Sequence, residues 1–420
     1  MDRIVVRGGN RLAGEVRASG SKNATLALMA AALLTDEETV LRGAPRVRDV
    51  ETMRRILAAL GVPSAWEEAA PQVLRLGGRG RPGHPEAPYE LVRQMRASFL
   101  VLGPLLARCG IGRVSEPGGC AIGVRPVDQH LKGLEALGAK VRLDHGYVEA
   151  AAARLEGARF AFDLNTVNGT QNVMMAAVLA RGRTEIENAA REPEVSELAA
   201  VLNAMGARVR GAGSDRIEID GVERLHGIDH EVWADRIEVG TLLAAGMITG
   251  GSVRVLGVAP ALLETTLEKL REAGAEIETD AASVSLRATG RARGVKVVTA
   301  PYPGFPTDMQ AQLMAVLALA SGSSVVTETV FENRFMHVPE LVRLGADVAV
   351  DGRSAHVRGV RALSGAPVMA TDLRASAGLL LAGLAAEGET VVNRVYHIDR
   401  GYERIEEKLR RLGAEIRREG

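Results

Sequence analysis

The chain repeats one pattern six times along its 420 residues. Each unit holds a long apolar helical run, a short β-branched strand, an amphipathic helix and further short strands. A Leu-Gly-Ala-like marker follows the second helix, and successive markers lie about 68 to 77 residues apart. The marker glycines are Gly61, Gly138, Gly206, Gly274, Gly345 and Gly413. Because one repeat cannot bury its apolar face alone, neighbouring repeats must pack on one another.

The first helix of each unit is apolar nearly all round, as at residues 242–248, 313–319 and 379–386. Such a helix lies inside a protein rather than on its surface. Short β-branched strands follow it, so the sequence favours an α/β fold in which buried helices are surrounded by sheets. Stacking of βαβ units into a parallel barrel is the alternative, but the chain lacks the single-strand, single-helix alternation of a (β/α)₈ barrel.

The repeat breaks between residues 222 and 234, where Gly227, Asp229, His230 and Trp233 interrupt the pattern. Three units precede this stretch and three follow it, so we expect a domain crossover near residues 228–236. Two similar halves would then face each other. A cleft between two such halves is a natural place for a ligand.

Composition excludes several classes of protein. Lys+Arg and Asp+Glu are equal at 52 each, which argues against nucleic acid or an anionic membrane as the main partner. Two cysteines make no disulfide framework, and the N-terminus has no apolar signal core. The apolar runs are too short to span a bilayer. We therefore expect a soluble cytoplasmic protein, and the histidine spacing predicts no metal site.

Charged residues open the apolar helices, which is unexpected for buried elements. Helix N-termini attract anions, so a cation such as Lys22 or Arg374 needs a bound anion or a carboxylate beside it. Internal ion pairs with the acids at equivalent openings explain Arg236 and Glu238 equally well. Those acids are Asp235, Glu238, Asp308 and Asp372. Such ion pairs explain a further set of cations less well, because we expect Asp308 and Asp372 to supply too little acid. That set is Lys22, Arg125, Arg334, Arg374 and Arg400.

Arginine suits bidentate capture of carboxylate and phosphate, so a substrate carrying both groups would fit these cations. A second feature is a glycine-rich stretch at residues 116–128 that places Cys120 five residues before Arg125. Its glycines and prolines rule out a regular helix or a central strand. A neighbouring cation favours a thiolate and holds an anion beside it. The alternative is a turn with an incidental cysteine. Cys109, at the end of a helix, is interpreted as a core residue.

Eight motifs, in order and over essentially the whole length, carry a resemblance to a known family. They are Ser-Lys-Asn-Ala (21–24), Met-Arg-Ala-Ser (95–98), Pro-Gly-Gly-Cys-Ala-Ile-Gly-Val-Arg-Pro-Val-Asp (117–128), Glu-Asn-Ala-Ala-Arg-Glu-Pro-Glu (187–194), Phe-Pro-Thr-Asp-Met-Gln-Ala-Gln (305–312), Phe-Glu-Asn-Arg-Phe-Met-His (331–337), Ala-Thr-Asp-Leu-Arg-Ala-Ser (370–376) and His-Ile-Asp-Arg-Gly-Tyr-Glu (397–403). The chain resembles the UDP-N-acetylglucosamine 1-carboxyvinyltransferases, which are enolpyruvyl transferases of peptidoglycan synthesis.

The resemblance implies two inside-out α/β barrel domains of three repeats each. One would span residues 22–232, the other residues 1–21 plus 233–420, with the active site in the cleft between them. It implies transfer of the enolpyruvyl group of phosphoenolpyruvate to the 3-hydroxyl of UDP-N-acetylglucosamine, with loss of phosphate. No metal or organic cofactor is implied. Transfer to shikimate 3-phosphate and a non-catalytic paralogue are the alternatives, and the cysteine motif speaks against the first.

The resemblance also implies roles for single residues. Cys120 would protonate the methylene carbon of phosphoenolpyruvate and could form a covalent adduct, Asp308 would be the general base, and Asp372 a second proton relay. The implied contacts of phosphoenolpyruvate are Lys22, Asn23, Arg125, Arg334, Arg374 and Arg400, and Lys22 and Arg400 also count as catalytic. The implied contacts of UDP-N-acetylglucosamine are Asn23, Arg96, Arg125, Pro126, Val127, Asp128, Gln129, Thr166, Val167, Asp308 and Val330.

One segment departs from the family pattern. Leu164 and Asn165 stand where many members have a basic residue. We therefore expect backbone N–H groups at residues 166–169, rather than a side-chain charge, to contact the nucleotide there. Thr166 and Val167 still fit the family's uridine-phosphate contact. In the motif around Arg96, Leu100 stands where some members have an aromatic residue.

Overall fold

The computed structural model describes residues 2–77, 82–116 and 127–420. These residues form two compact units. Residues 20–116 and 127–233 make up one, called here the N-terminal unit. Residues 2–19 and 234–420 make up the other, called the C-terminal unit, so the first strands of the chain belong with its second half.

Up to residue 233 the chain alternates short strands with helices. In order they are β1 (Arg3–Arg7), β2 (Ala13–Arg17), α1 (Lys22–Ala31), β3 (Glu38–Arg42), α2 (Arg48–Ala59), β4 (Ser64–Trp66), β5 (Leu74–Gly77), β6 (Glu86–Ala87), α3 (Tyr89–Val92), α4 (Leu102–Cys109), β7 (Ile111–Ser115), α5 (Asp128–Ala136), β8 (Lys140–Asp144), β9 (Tyr147–Ala151), β10 (Arg159–Ala161), α6 (Val167–Ala177), β11 (Arg183–Glu187), α7 (Pro193–Ala204), β12 (Arg208–Arg210), β13 (Arg216–Asp220) and β14 (Asp229–Glu231). Turns of 3₁₀ helix lie at Ala32–Leu34 and Arg96–Val101.

The second half repeats the same alternation. Its elements are α8 (Arg236–Ile248), β15 (Ser252–Leu256), α9 (Glu264–Glu272), β16 (Ala275–Asp280), β17 (Ser283–Ala288), β18 (Lys296–Val298), α10 (Gln310–Ala318), β19 (Ser323–Thr327), α11 (Val338–Arg343), β20 (Asp347–Asp351), β21 (Ser354–Arg358), β22 (Leu363–Ser364), β23 (Pro367–Met369), α12 (Ala375–Ala385), β24 (Ala386–Glu387), β25 (Glu389–Asn393), α13 (Ile405–Arg411) and β26 (Glu415–Glu419). Its 3₁₀ segments are Pro260–Leu263, Thr307–Met309 and Val395–Arg400.

The described residues form six four-stranded sheets, and all six share one topology. In each, an edge strand runs parallel to its neighbour, and the next two strands follow antiparallel. The strand orders are β14-β3-β5-β4, β6-β7-β9-β8 and β10-β11-β13-β12 in the N-terminal unit, and β2-β15-β17-β16, β18-β19-β21-β20 and β23-β25-β1-β26 in the C-terminal unit. Mostly antiparallel pairing rules out the parallel-barrel alternative.

Strands from distant parts of the chain complete three of these sheets. In the N-terminal unit β14 pairs in parallel with β3, with Asp229 opposite Val40. In the C-terminal unit β2 pairs in parallel with β15, and β1 lies between β25 and β26. Each unit therefore gains three equivalent sheets from three repeats.

The first helix of each repeat is buried, as its composition predicts. Every residue of α12 from Ala375 to Leu384 is buried, and α10 is buried along its whole length. α1 and α6 are buried in the N-terminal unit in the same way. The second helices are amphipathic: α2 buries Val50, Met53 and Leu57 on one side only. The predicted α/β fold class, with buried helices surrounded by sheets, is confirmed.

All six marker glycines have left-handed backbone conformations, with φ between 87° and 105°. Each follows the second helix of its repeat, and that conformation satisfies the last carbonyl groups of a helix. Only glycine adopts it without a steric penalty. The spacing of the markers thus follows from six equivalent helix ends. Among the helices that the structure describes, none has the length and apolar character needed to cross a membrane.

Candidate active site

An acid–arginine cluster occupies the C-terminal unit where its buried helices begin. Asp308 lies in the 3₁₀ segment just before α10. Its Oδ1 accepts a hydrogen bond of 2.9 Å from Nη2 of Arg334, and its Oδ2 accepts one of 3.3 Å from Nε of Arg374. The Asp308 side chain is 27% exposed, whereas those of Arg334 and Arg374 are only 5% and 2% exposed. Two buried cations therefore share one carboxylate that solvent reaches.

Arg374 is fixed on three sides. Beyond Asp308, its Nη2 lies 3.5 Å from Oδ2 of Asp235, and its guanidinium carbon lies 5.1 Å from the centre of the Tyr402 ring. Its Nη1 is buried and has no hydrogen-bond partner among the described residues. A buried guanidinium nitrogen with no acceptor is costly. An anionic oxygen that binds at Nη1 would remove that cost.

The ion pairs change the protonation equilibria of the cluster. Burial raises the pKa of Asp308, but the charges of Arg334 and then Arg374 outweigh it, and the pKa lies well below its ordinary value. Burial lowers the pKa of Arg374, but Asp235 outweighs that effect and the pKa lies above its ordinary value. At neutral pH the cluster therefore holds a carboxylate and two guanidinium ions.

Two aspartates at helix openings act as helix caps. Oδ1 of Asp372 accepts hydrogen bonds from the backbone N–H groups of Arg374 and Ala375, at 2.8 and 3.0 Å. Oδ1 of Asp235 accepts those of Ile237 and Glu238 at the start of α8, at 2.9 and 3.2 Å. A carboxylate in this position satisfies free N–H groups and complements the helix dipole.

Lys22 begins α1 in the N-terminal unit, directly after its N-cap Ser21. Its Nζ lies 2.8 Å from Oδ2 of Asp49, and both side chains are under a tenth exposed. The expectation that internal ion pairs explain these cations less well is thus wrong for Lys22, Arg334 and Arg374. Asp49 and Asp235 supply the acid that the count of Asp308 and Asp372 left out.

Two histidines lie close to Asp372. His337 is fully buried, and neither ring nitrogen has a hydrogen-bond partner within the described part of the chain. Burial lowers its pKa to about 4, although Asp372 acts in the opposite direction. Burial and then Arg400 lower the pKa of His397. Both rings are therefore neutral at neutral pH, so Arg334, Arg374 and Arg400 supply the positive charge here.

The residues matched to nucleotide-sugar contacts fall mostly in the N-terminal unit. Asn23 is in α1, Arg96 opens a 3₁₀ segment, and Asp128 and Gln129 open α5 just after Val127. Gln129 is buried, and its side chain holds Asp163 through a hydrogen bond of 2.9 Å from the backbone N–H of Asp163.

The segment at residues 166–169 forms the start of α6. Thr166 is the N-cap, and its Oγ1 accepts a hydrogen bond of 3.2 Å from the backbone N–H of Gly169. Leu164 is 67% exposed, and Asn165 donates to the carbonyl of Ala189. The N–H group of Gly169 already has an internal partner. The predicted backbone contact with the nucleotide therefore narrows from residues 166–169 to residues 166–168.

Val330 is held by Glu328, a buried acid that the sequence motifs did not single out. Oε1 of Glu328 accepts hydrogen bonds from the backbone N–H groups of Val330 and Phe331, at 2.8 and 3.1 Å. Its Oε2 accepts one of 2.8 Å from the hydroxyl of Thr307, the neighbour of Asp308. Glu328 thus ties the segment of Val330 to that of Asp308.

Some predicted residues cannot be placed. Cys120, Arg125 and Pro126 lie outside the described residues. Arg400 is half-buried at the end of the 3₁₀ segment Val395–Arg400. Cys109 ends α4 and packs against the core of the N-terminal unit, consistent with a core role.

Comparison with known proteins places the chain in a family. Residues 6–409 match the family described as EPSP synthase (3-phosphoshikimate 1-carboxyvinyltransferase). A protein of Myxococcus xanthus (strain DK1622) named UDP-N-acetylglucosamine 1-carboxyvinyltransferase is 58% identical over 100% of both chains. One of the same name from Anaeromyxobacter sp. (strain Fw109-5) is 60% identical, again over 100% of both chains.

Solved structures agree. The enolpyruvyl transferase NikO from Streptomyces tendae superposes with a TM-score of 0.89 at 28% identity, covering 99% of this chain and 98% of that one. An EPSP synthase from Acinetobacter baumannii superposes with a TM-score of 0.77 at 17% identity over 100% of both chains, which shows a shared fold. On the six equivalent sheets, the buried helices and these full-length matches, the chain belongs to the EPSP synthase (3-phosphoshikimate 1-carboxyvinyltransferase) family of enolpyruvyl transferases.

Proposed function

We propose that this enzyme transfers the enolpyruvyl group of phosphoenolpyruvate to the 3-hydroxyl of UDP-N-acetylglucosamine and releases phosphate, a step of peptidoglycan synthesis. The observation that carries the proposal is identity of 55–60% over the full length with relatives named for this activity. The shikimate enzyme, by contrast, superposes at 17% identity. The cysteine motif at residues 117–128 also speaks against the alternative acceptor.

The acid–arginine cluster supports phosphoenolpyruvate as the small substrate. We assign its phosphate and carboxylate to Arg334, Arg374, Arg400, Lys22 and Arg125. Arg374 has a buried Nη1 without an acceptor in the described structure, and guanidinium groups hold both kinds of anion in bidentate geometry. A bound anion then accepts hydrogen bonds that the Arg374 guanidinium otherwise donates to Asp308 and Asp235.

That exchange prepares Asp308 for its assigned role as general base. While Arg334 and Arg374 contact its carboxylate, the pKa of Asp308 is low and the group is a weak base. A substrate phosphate competes for the same guanidinium groups. Each hydrogen bond that moves from Asp308 to phosphate raises the pKa of Asp308 towards its ordinary value, so basicity appears only with substrate bound.

The proposed reaction is an addition followed by an elimination. In the addition, the oxygen of the sugar 3-hydroxyl bonds to C2 of phosphoenolpyruvate while Asp308 takes the hydroxyl proton. The Cys120 thiol gives a proton to C3. In the second step C3 loses a proton, the C2–O bond to phosphate breaks, and the enol ether forms. The positive charge that develops at C2 is stabilised by the carboxylate and phosphate beside it, and the buried Arg334 and Arg374 are suited to hold those anions in place.

We assign the nucleotide sugar to Asn23, Arg96, the residues 125–129, Thr166, Val167 and Val330, with Asp308 at its hydroxyl. The N-terminus of α6 suits a diphosphate, since free N–H groups and the helix dipole favour negative charge. Several further points stay predictions. They are the domain bounds 22–232 and 1–21 plus 233–420, an active site in a cleft, cytoplasmic localisation, and the lack of a cofactor and of nucleic-acid and membrane partners.

Phosphate release from phosphoenolpyruvate tests the proposal. We expect release when UDP-N-acetylglucosamine is present and only background release without it or with shikimate 3-phosphate instead. Release with shikimate 3-phosphate alone would establish the alternative acceptor. Absence of release with either acceptor would establish a non-catalytic paralogue.

A further inference from the structure

Three polar side chains meet inside the otherwise apolar helix core of the C-terminal unit. Thr241 of α8 and Gln312 of α10 are fully buried, and Tyr402, which follows the segment Val395–Arg400, is 2% exposed. The Gln312 Nε2 lies 3.1 Å from the Tyr402 hydroxyl and 3.2 Å from Oγ1 of Thr241, and the two hydroxyl groups lie 3.0 Å apart. Elements from three repeats thus meet in one polar assembly, called here the Thr241–Gln312–Tyr402 triad.

The hydrogen bonds of the triad have a direction. The Thr241 hydroxyl donates to the carbonyl of Ile237 at 2.7 Å, so its oxygen must accept from Tyr402. Tyr402 in turn accepts from Gln312, whose amide has a second N–H to give. That second N–H reaches the backbone carbonyl of Asp308 at 2.9 Å. One chain of hydrogen bonds therefore links the backbone carbonyl of Asp308 to that of Ile237 at the start of α8.

The other end of the triad is the aromatic face that supports Arg374. The guanidinium carbon lies 5.1 Å from the Tyr402 ring centre, within the range of a cation–π contact. Arg374 and Asp308 both belong to the acid–arginine cluster. The triad thus holds Asp308 by its backbone and Arg374 by its guanidinium plane.

A purely structural role explains the triad poorly. Oε1 of Gln312 is buried and has no partner among the described residues. Asn172 in the N-terminal unit shows what such a role looks like: its Oδ1 accepts from the Gly103 N–H at 2.7 Å, and its Nδ2 donates to the Phe99 carbonyl at 3.1 Å. A buried amide that only joins helices satisfies both ends, whereas Gln312 leaves one end unused.

We propose that Thr241, Gln312 and Tyr402 are positioning residues that fix Asp308 and Arg374 relative to each other for reaction with phosphoenolpyruvate. The proposal rests on the proposed function of the chain. It does not require the triad to touch either substrate. Displacement of a reacting group by about 1 Å can lower a rate about 100-fold, so a shift of the Asp308 backbone carries a large effect.

Matched substitutions test the proposal by steady-state phosphate release. Gln312→Met keeps the length of the side chain and removes the link to Asp308, and Thr241→Val keeps its shape and removes the acceptor for Tyr402. We expect kcat/KM for phosphoenolpyruvate to fall roughly 10- to 100-fold in both. Thr241→Ser keeps the hydroxyl and should stay within about threefold of the native chain. KM for UDP-N-acetylglucosamine should change by less than about threefold in all three.

Thr390→Val is the control. Thr390 is equally buried, its hydroxyl has no partner within the described chain, and it lies on β25 away from the triad. We expect native kinetics for it. The double variant Thr241→Val/Gln312→Met should lose less than the product of the single losses, because both changes break one chain of hydrogen bonds.

The outcomes separate this inference from the proposed function. If the native chain releases phosphate and the Thr241→Val and Gln312→Met variants match Thr390→Val in kcat/KM, the positioning role is wrong even where their melting temperatures fall. If Gln312→Met does not fold, the contrast between Thr241→Val and Thr241→Ser decides. If the native chain itself releases no phosphate, the proposed function fails first.

Discussion

The two units share one scaffold but handle buried charge differently. In the N-terminal unit the charge at the start of α1 includes the buried pair of Lys22 with Asp49. In the C-terminal unit Asp308 contacts both Arg334 and Arg374, and Arg374 also contacts Asp235. The four side chains therefore form one network of ion pairs. A shared network can give up one contact to a ligand and keep its remaining charges paired.

The buried amides of the two units also differ in what they join. Asn172 contacts two backbone groups of its own unit and the ring of His130. Gln312 joins the Asp308 segment to Tyr402 and, through it, to the support of Arg374. The repeat therefore supplies equivalent helices, and the polar residues placed on them differ between the units.

Asp308→Asn is expected to have the largest effect. The amide cannot accept the hydroxyl proton, and general-base catalysis typically contributes about 10²- to 10⁴-fold. We therefore expect kcat to fall by about that factor, measured as phosphate release at saturating substrates. Asp347→Asn, which removes a carboxylate from an exposed pair with Arg358, is the control and should keep native turnover. Retention of more than about a tenth of native kcat in Asp308→Asn would contradict the general-base role.

The two sets of ion pairs predict unequal stability losses. Asp49→Asn removes the carboxylate that lies 2.8 Å from the buried Nζ of Lys22, and breaking a buried pair costs about 3–5 kcal/mol. Asp235→Asn should cost about 1 kcal/mol, because Arg374 keeps Asp308 and asparagine still caps α8. Urea unfolding followed by circular dichroism measures both.

Tryptophan fluorescence locates the first of these effects. Both tryptophans of the chain, Trp66 and Trp233, lie in the N-terminal unit. The fluorescence transition should therefore shift with Asp49→Asn and stay near its native midpoint with Asp235→Asn. Equal losses of stability in the two variants would contradict the distinction between the Lys22–Asp49 pair and the network of Asp308, Arg334, Arg374 and Asp235.

The repeat explains why the fold could be predicted from the sequence. Apolar helices can only be buried, and the marker glycines end helices, so the pattern alone predicts helices inside and sheets around them. Helix openings also marked Lys22 and Arg374 as candidates for anion binding. Those predictions need only local spacing and composition.

The partners of these residues could not be found in that way. Asp49 sits on the amphipathic helix α2 next to Arg48 and resembles a surface acid, yet it is 3% exposed. Thr241 and Tyr402 are 161 residues apart in the chain and meet only because repeats pack together. Glu328 follows a strand without any motif. Long-range pairing decides each of these, and a single sequence carries no signal for it.

We expect the smallest difference between the two units in the stability that their exposed carboxylates contribute. Asp220 of the N-terminal unit contacts Arg183 and Arg210, whose hydrogen bonds lower its pKa from 3.8 to about 2. Asp280 of the C-terminal unit reaches the same pKa of about 2, chiefly through hydrogen bonds from the Ser283 hydroxyl and the Ala282 N–H. A depressed folded-state pKa means that each carboxylate stabilises the fold above about pH 4 and loses that effect as the pH falls towards 2.

Asp220→Asn and Asp280→Asn should therefore change the melting temperature at pH 7 by no more than about 2 °C each, because exposed pairs contribute little. The two variants should also behave alike between pH 4 and 2, where the native chain loses these contributions. Thermal scans across that range, with carboxyl titration by NMR, make the measurement. A much larger loss in one variant would mean that the units differ at their surfaces as well, and the contrast drawn from Asp49 and Asp308 would not be confined to the buried helix openings.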